Sequence, residues 1–94
     1  MNELNQYLDS LCTHGGLAAI ALATEDGTLV AGAGKGDVEY MGVLGATSRL
    51  ARLNWDGREL QVKRIEVNSV PMCVVMEGQP VVDPVAGIQR LLKS

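Results

Sequence analysis

The chain is poor in the side chains from which catalytic and metal centres are built: it has one histidine and two cysteines in 94 residues. Cys12 and Cys73 are too few for a disulfide framework. Each has apolar neighbours, where a free thiol acts as a small hydrophobe, so a reducing compartment fits. Aromatic side chains are scarce, and Trp55 is the only one near the basic stretch described below, so the stacking platforms of single-stranded nucleic-acid binders are missing. Long apolar runs are also missing. The longest, "LAAIALA" at 17–23, is far short of a bilayer span, and no basic start precedes it. A soluble, cytoplasmic protein that binds neither membrane nor nucleic acid is expected.

What is present is the composition of a folded domain, 47% hydrophobic and 20% charged. The chain is expected to form one domain over 1–94. A domain of that size withdraws only roughly two thirds of its extended-chain surface from water, so association with a second copy is a natural remedy. The net charge of −3 hides an uneven distribution. Residues 1–44 carry six acids against the single base Lys35, whereas 49–64 carry Arg49, Arg52, Arg58, Lys63 and Arg64 against Asp56 and Glu59. The basic stretch suits a solvated helix end or a surface that meets an acidic protein.

One stretch superficially resembles a phosphate cradle: "LVAGAGKGD" at 29–37. A Walker loop needs a glycine, four spacer residues, then Gly-Lys and a Ser or Thr; here Leu29 and Gly36 occupy the first and last of those places. The dinucleotide fingerprint fails as well, because Gly36 follows Gly34 after one residue rather than two. These glycines instead turn a strand into a helix, with Asp37 as its N-cap, and no cofactor is expected.

Leu4, Tyr7, Leu8 and Leu11 mark an amphipathic helix stopped by Gly15-Gly16. Two apolar runs around Asp26-Gly27 form a hairpin whose first strand alternates bulky and alanine faces, and a bare alanine face invites a helix to lie close. The segment after Asp37 forms the central helix, notched by Gly42 and Gly45. Glycine there costs roughly 1 kcal/mol against alanine, so each needs a close neighbour, either the domain's own sheet or a partner helix. "NWDGRE" is expected as a turn. The following strand, 60–68, slips phase at Lys63-Arg64, where a bulge would restore it. Asn68-Ser69 turns the chain into "VPMCVVMEG", and Asp83-Pro84 opens a closing helix. The expected order is α-β-β-α-β-β-α.

This order, with "GLAAIALATEDGTLVAGAG" at 15–34 as its strongest local match, resembles the Roadblock family of dynein light chains and bacterial GTPase regulators. The resemblance covers nearly the whole chain. It implies an α/β fold of the α+β type, with a central antiparallel sheet of four or five strands. One helix covers one face and the two terminal helices cover the other. After Gly78 there is room for at most a stunted fifth strand. The resemblance further implies a homodimer formed through the middle helix and the strand after it, which places Val38, Met41, Gly42, Gly45, Arg49, Val62, Arg64 and Glu66 at the interface. A small Ras-like GTPase is the implied partner. Trp55 in "NWDG" is expected to cover the sheet end or the C-terminus of the central helix; exposed beside Arg52 and Arg58 it would instead be a partner-binding hot spot.

Two other readings compete. A profilin-like or PAS-like ligand-binding module would line a cavity with Met41, Met72, Met76 and the glycines at 32–36, although methionine is more commonly core filling. An enzyme or a metal site would have only Cys12, His14 and Cys73. Residues two apart on a helix point to different sides, and the cysteine spacing lacks a zinc-site pattern, so neither catalysis nor metal binding is expected.

Overall fold

The computed structural model describes residues 3–48 and 50–92. In chain order the elements are α1 (Glu3–Thr13), β1 (Leu17–Thr24), β2 (Leu29–Gly34), α2 (Val38–Thr47), β3 (Arg52–Trp55), β4 (Arg58–Val67), β5 (Val70–Gly78) and α3 (Pro84–Leu92). The strands form one antiparallel sheet in the order β2-β1-β5-β4-β3. The α+β class expected from the sequence is therefore observed, with five strands. The fifth lies before β4 rather than after Gly78, which corrects the expected order to α-β-β-α-β-β-β-α. "NWDGRE" is not all turn: Asp56 and Gly57, at φ 53° and 79°, form a two-residue reversal joining β3 to β4. Two consecutive positive φ values match the twist of a tight hairpin, and Asp-Gly tolerates them. Asn68 and Ser69, at φ 51° and 67°, make the same kind of turn between β4 and β5.

Each face of the sheet holds its own core. Ile20, Leu22, Val74 and Met76 pack with Leu4, Leu8, Leu11 and Ile88 of the terminal helices. Ala19, Ala21, Ala23, Cys73 and Val75 pack with Met41 of α2 and with Leu60 and Val62. The alanine face of β1 is thus the bed of α2. The bulge expected at Lys63-Arg64 is absent, because β4 pairs with β5 in unbroken register from Gln61 to Val67. The strand instead changes the face it buries: Leu60 and Val62 serve the α2 core, while Ile65 packs against the core of α1 and α3.

Capping fixes where the helices begin. The Asp37 carboxylate accepts from the Tyr40 N–H at 3.0 Å, and Asp83 accepts from the Val85 N–H at 3.0 Å, with Pro84 in the first turn. Gly34, at φ +101°, lies so close to β1 that a Cβ would stand 2.4 Å from the Ala18 carbonyl oxygen. The glycine-rich stretch is a turn forced by backbone contact.

The notches of α2 face inward. A Cβ on Gly45 would stand 2.1 Å from Val75 Cγ2, and one on Gly42 3.0 Å from the Ala23 Cβ. Val75 is fully buried and stiff at χ1, so it has little room to yield. Gly45→Ala is therefore expected to lower stability by about 1–2 kcal/mol despite its better helix propensity. In a Val75→Ala background the same change should cost less. Urea midpoints of the two single variants and the double variant measure both.

Candidate protein interface

With Met41, Gly42 and Gly45 buried and Leu44 half-buried against the same core, the helical period turns Tyr40, Val43 and Thr47 outward. None of these is charged, and Glu39 is the only charged residue in α2. Tyr40 and Val43 are 44% and 38% exposed, and Leu50, just beyond the helix, is 65% exposed. An isolated surface helix ordinarily turns a polar face to water; this one is apolar on both sides.

The placement of the residues expected at a dimer interface follows from this. Met41, Gly42, Gly45 and Val62 are buried inside the single chain, so their own side chains are not presented to a second copy. Val38 is half-buried, close to Gly32. Arg64 and Glu66 are exposed, and Arg49 lies outside the described residues. The accessible surface is the neighbouring stripe through Tyr40, Val43 and Thr47. β4 pairs with β3 over residues 58–61 and with β5 over 61–67, so β3 forms the rim beside the first part of β4. Val62 donates its N–H to the Ala51 carbonyl at 2.7 Å, which sets the phase of this pair. By strand alternation the backbone groups of Arg52 and Asn54 then point away from β4, toward the open side.

Trp55 lies at the start of α2, not at its C-terminus. Its ring is half-buried, 5.2 Å from the Tyr40 ring, and the Arg58 guanidinium sits over it at 4.9 Å. Arg58 Nε donates to Glu77 Oε1 at 3.0 Å, and Nη2 donates to the same oxygen. That hydrogen bond, followed by the charge of Glu77, strengthens the hold of Arg58 on its proton. Arg58 is consequently a fixed platform beside an aromatic pair, whereas Arg52 is exposed on the rim. The C-terminus of α2 is held by Arg64, whose Nη2 donates to the Gly45 carbonyl at 3.1 Å and also to that of Ser48. A cation there satisfies carbonyls that the helix leaves unpaired and suits the negative end of its dipole.

The ingredients of the competing readings are kept apart by the sheet. Met41 belongs to the core under α2, while Met76, with Met72 packed beside it, belongs to the opposite core, so they line no common cavity. Cys12 and Cys73 are divided in the same way, and both are free thiols. Desolvation raises both thiols above their ordinary pKa; Asp9 adds to the effect at Cys12, while Arg64 partly opposes it at Cys73. Among the described residues no group of three or more His, Cys, Asp or Glu is placed to hold a metal ion.

Two outcomes follow. Glu77→Gln removes the charged acceptor from a partly exposed pair and is expected to cost about 0.5–1 kcal/mol. Trp55 emission should change with it as Arg58 loosens, read together with a urea titration. The raised pKa leaves Cys73 as neutral thiol at pH 8, and its side chain is fully buried. A thiol reagent should therefore label Cys73 only on unfolding, which peptide mass mapping would show.

No protein-family model matches this chain, and no curated protein sequence matches it. Solved structures do match in shape. Myxococcus xanthus MglB superposes with a TM-score of 0.53 at 17% identity, covering 94% of this chain and 77% of its own. A Roadblock/LC7 domain from Streptomyces avermitilis superposes with a TM-score of 0.55 at 12% identity, covering 94% of this chain and 87% of its own. The sheet order, the single helix on one face and the terminal pair on the other therefore constitute a Roadblock/LC7-type fold.

Proposed function

We propose that this protein is a non-catalytic module that pairs with a second copy through α2 and β3, and that the pair binds and regulates, or serves as a scaffold for, a small Ras-like GTPase in the cytoplasm. The observation that carries the pairing is the exposed, uncharged outer stripe of α2, Tyr40, Val43 and Thr47, on a helix whose inner side is already filled. A second α2 crossing it about a two-fold axis would cover that stripe. In an antiparallel crossing Asp37 and Glu39 of one copy approach the end bearing Arg52 and Arg64 of the other, so one surface complements itself. The same axis brings the two β3 rims together, and the outward groups of Arg52 and Asn54 gain partners.

The GTPase reading draws on the resemblance of the sequence to the Roadblock family, with its bacterial GTPase regulators, and on the fold shared with MglB and the Roadblock/LC7 domain. Such a module needs no catalytic residue, since holding a switch segment in one conformation shifts the partner's population of states. Arg52, Trp55 and Arg58 are the proposed contacts beside the paired helices. No helix among the described residues is long and apolar enough to cross a membrane.

Tyr40→Lys and Val43→Asp place charge on the stripe, the first also removing the ring that packs beside Trp55. Each is expected to weaken self-association at least about tenfold while leaving the far-UV CD unchanged, as followed by subunit exchange between fluorescently labelled copies. Titration of the small GTPases of the same cell, each loaded with GDP and with a GTP analogue, tests the partner. Trp55 emission should respond to one of them in one nucleotide state more than in the other. Silence from all of them in both states would remove the GTPase reading and leave the pairing intact.

A further inference from the structure

The sheet has a second rim at β2, and its chemistry is opposite to that of the β3 rim. Among the described residues β2 pairs only with β1. The Lys35 N–H donates to the Ala18 carbonyl at 3.1 Å in continuation of the β1–β2 register. Strand alternation then directs the backbone groups of Ala31 and Ala33 to β1 and those of Gly32 and Gly34 outward. Natural edge strands are blunted by lysine, proline or inward-pointing charge; from Val30 to Gly34 this one has only valine, alanine and glycine.

Two grooves flank that open edge, one on each side of the sheet. On the α1 side Asn5, Gln6 and Asp9 face Gly32 and Ala33 across a groove of about 370 Å³. On the α2 side Thr28, Leu29, Asp37 and Glu39, with Tyr40 and Val43 of the outer stripe of α2, line one of about 430 Å³. Both lie in the size range of ligand clefts, about 300–1,000 Å³, and each contains carboxylates and no basic group. An extended segment that adds to a sheet edge is held by its main chain and sends alternate side chains to the two faces, where flanking grooves select them.

We infer that the outer edge of β2 is a docking strand for an extended, lysine- or arginine-rich segment of a partner protein. The backbone of Gly32 and Gly34 supplies the ladder, and Asp9 on one side with Asp37 and Glu39 on the other receives the alternating basic side chains. A second copy of this chain is the wrong occupant, because two β2 rims meeting edge to edge would bring these carboxylates toward their own kind. The α2-side groove shares Asp37, Glu39, Tyr40 and Val43 with the surface proposed to pair, so a second copy and the segment would compete there, whereas the β2 ladder and the Asp9 side lie outside that surface.

The test is a titration of the isotope-labelled protein with a capped eight-residue peptide, Thr-Lys-Lys-Thr-Lys-Lys-Thr-Lys, followed by amide NMR. The Gly32 and Gly34 amides are expected to shift and to exchange more slowly with solvent. The same peptide with glutamate for lysine, or with alternate backbone nitrogens methylated, is expected not to bind. Asp9→Asn combined with Glu39→Gln, both exposed, should weaken the lysine peptide about tenfold. Unmoved Gly32 and Gly34 amides, undiminished binding of the methylated peptide, or full affinity in the double variant would each overturn the inference.

Discussion

The structure depends on the close seating of α2 on the alanine face of the sheet. Ala19, Ala21 and Ala23 present almost no side chain, and Gly42 and Gly45 present none, so helix and sheet approach until Gly45 meets Val75. That contact fixes the rotation of the helix. Met41 is driven into the core, and Tyr40, Val43 and Thr47 are turned outward with no charged residue among them. The two ends of α2 are then secured by different means: Asp37 caps the start, and Arg64 reaches from β4 to hold the last carbonyls. The glycine notches and the apolar outer surface are one feature, because burying the small residues inward leaves the larger apolar ones outside.

The same architecture sorts charge. Acidic residues gather around β2, α1 and the start of α2, while Arg52 lies on the β3 rim, Arg64 reaches the C-terminus of α2 and Arg58 sits over Trp55 beside Gly36. The thiols and methionines that a catalytic or ligand-binding reading would need are divided between two cores by the sheet itself. What the molecule offers to its surroundings is a helix face and two strand rims.

Much of this was legible in the residues because local chemistry decided it. The Asp26-Gly27 and Asn68-Ser69 reversals, the Asp37 and Asp83 caps and the alternation of β1 were each determined by neighbours along the chain. β3 was not, since four residues alternating between polar and apolar beside an Asp-Gly pair also describe a turn, and only pairing with β4 makes them a strand. The phase slip in β4 had two solutions, a bulge or a change of buried face, and the choice rests on which helix lies over each half of the strand. Gly42 and Gly45 pointed correctly to a close neighbour, but a glycine does not say whether that neighbour is its own sheet or another chain. The Arg58–Glu77 pair and the reach of Arg64 to Gly45 join residues 19 apart in sequence, beyond any local pattern.

The account's central claim is that the outer stripe of α2 is covered by a second copy of the chain. Sedimentation equilibrium of the untagged protein at micromolar concentration tests it most directly. A mass twice that of the 10.0 kDa chain is the predicted result. A mass of one chain across that range, with Tyr40 and Val43 left in water, would contradict it.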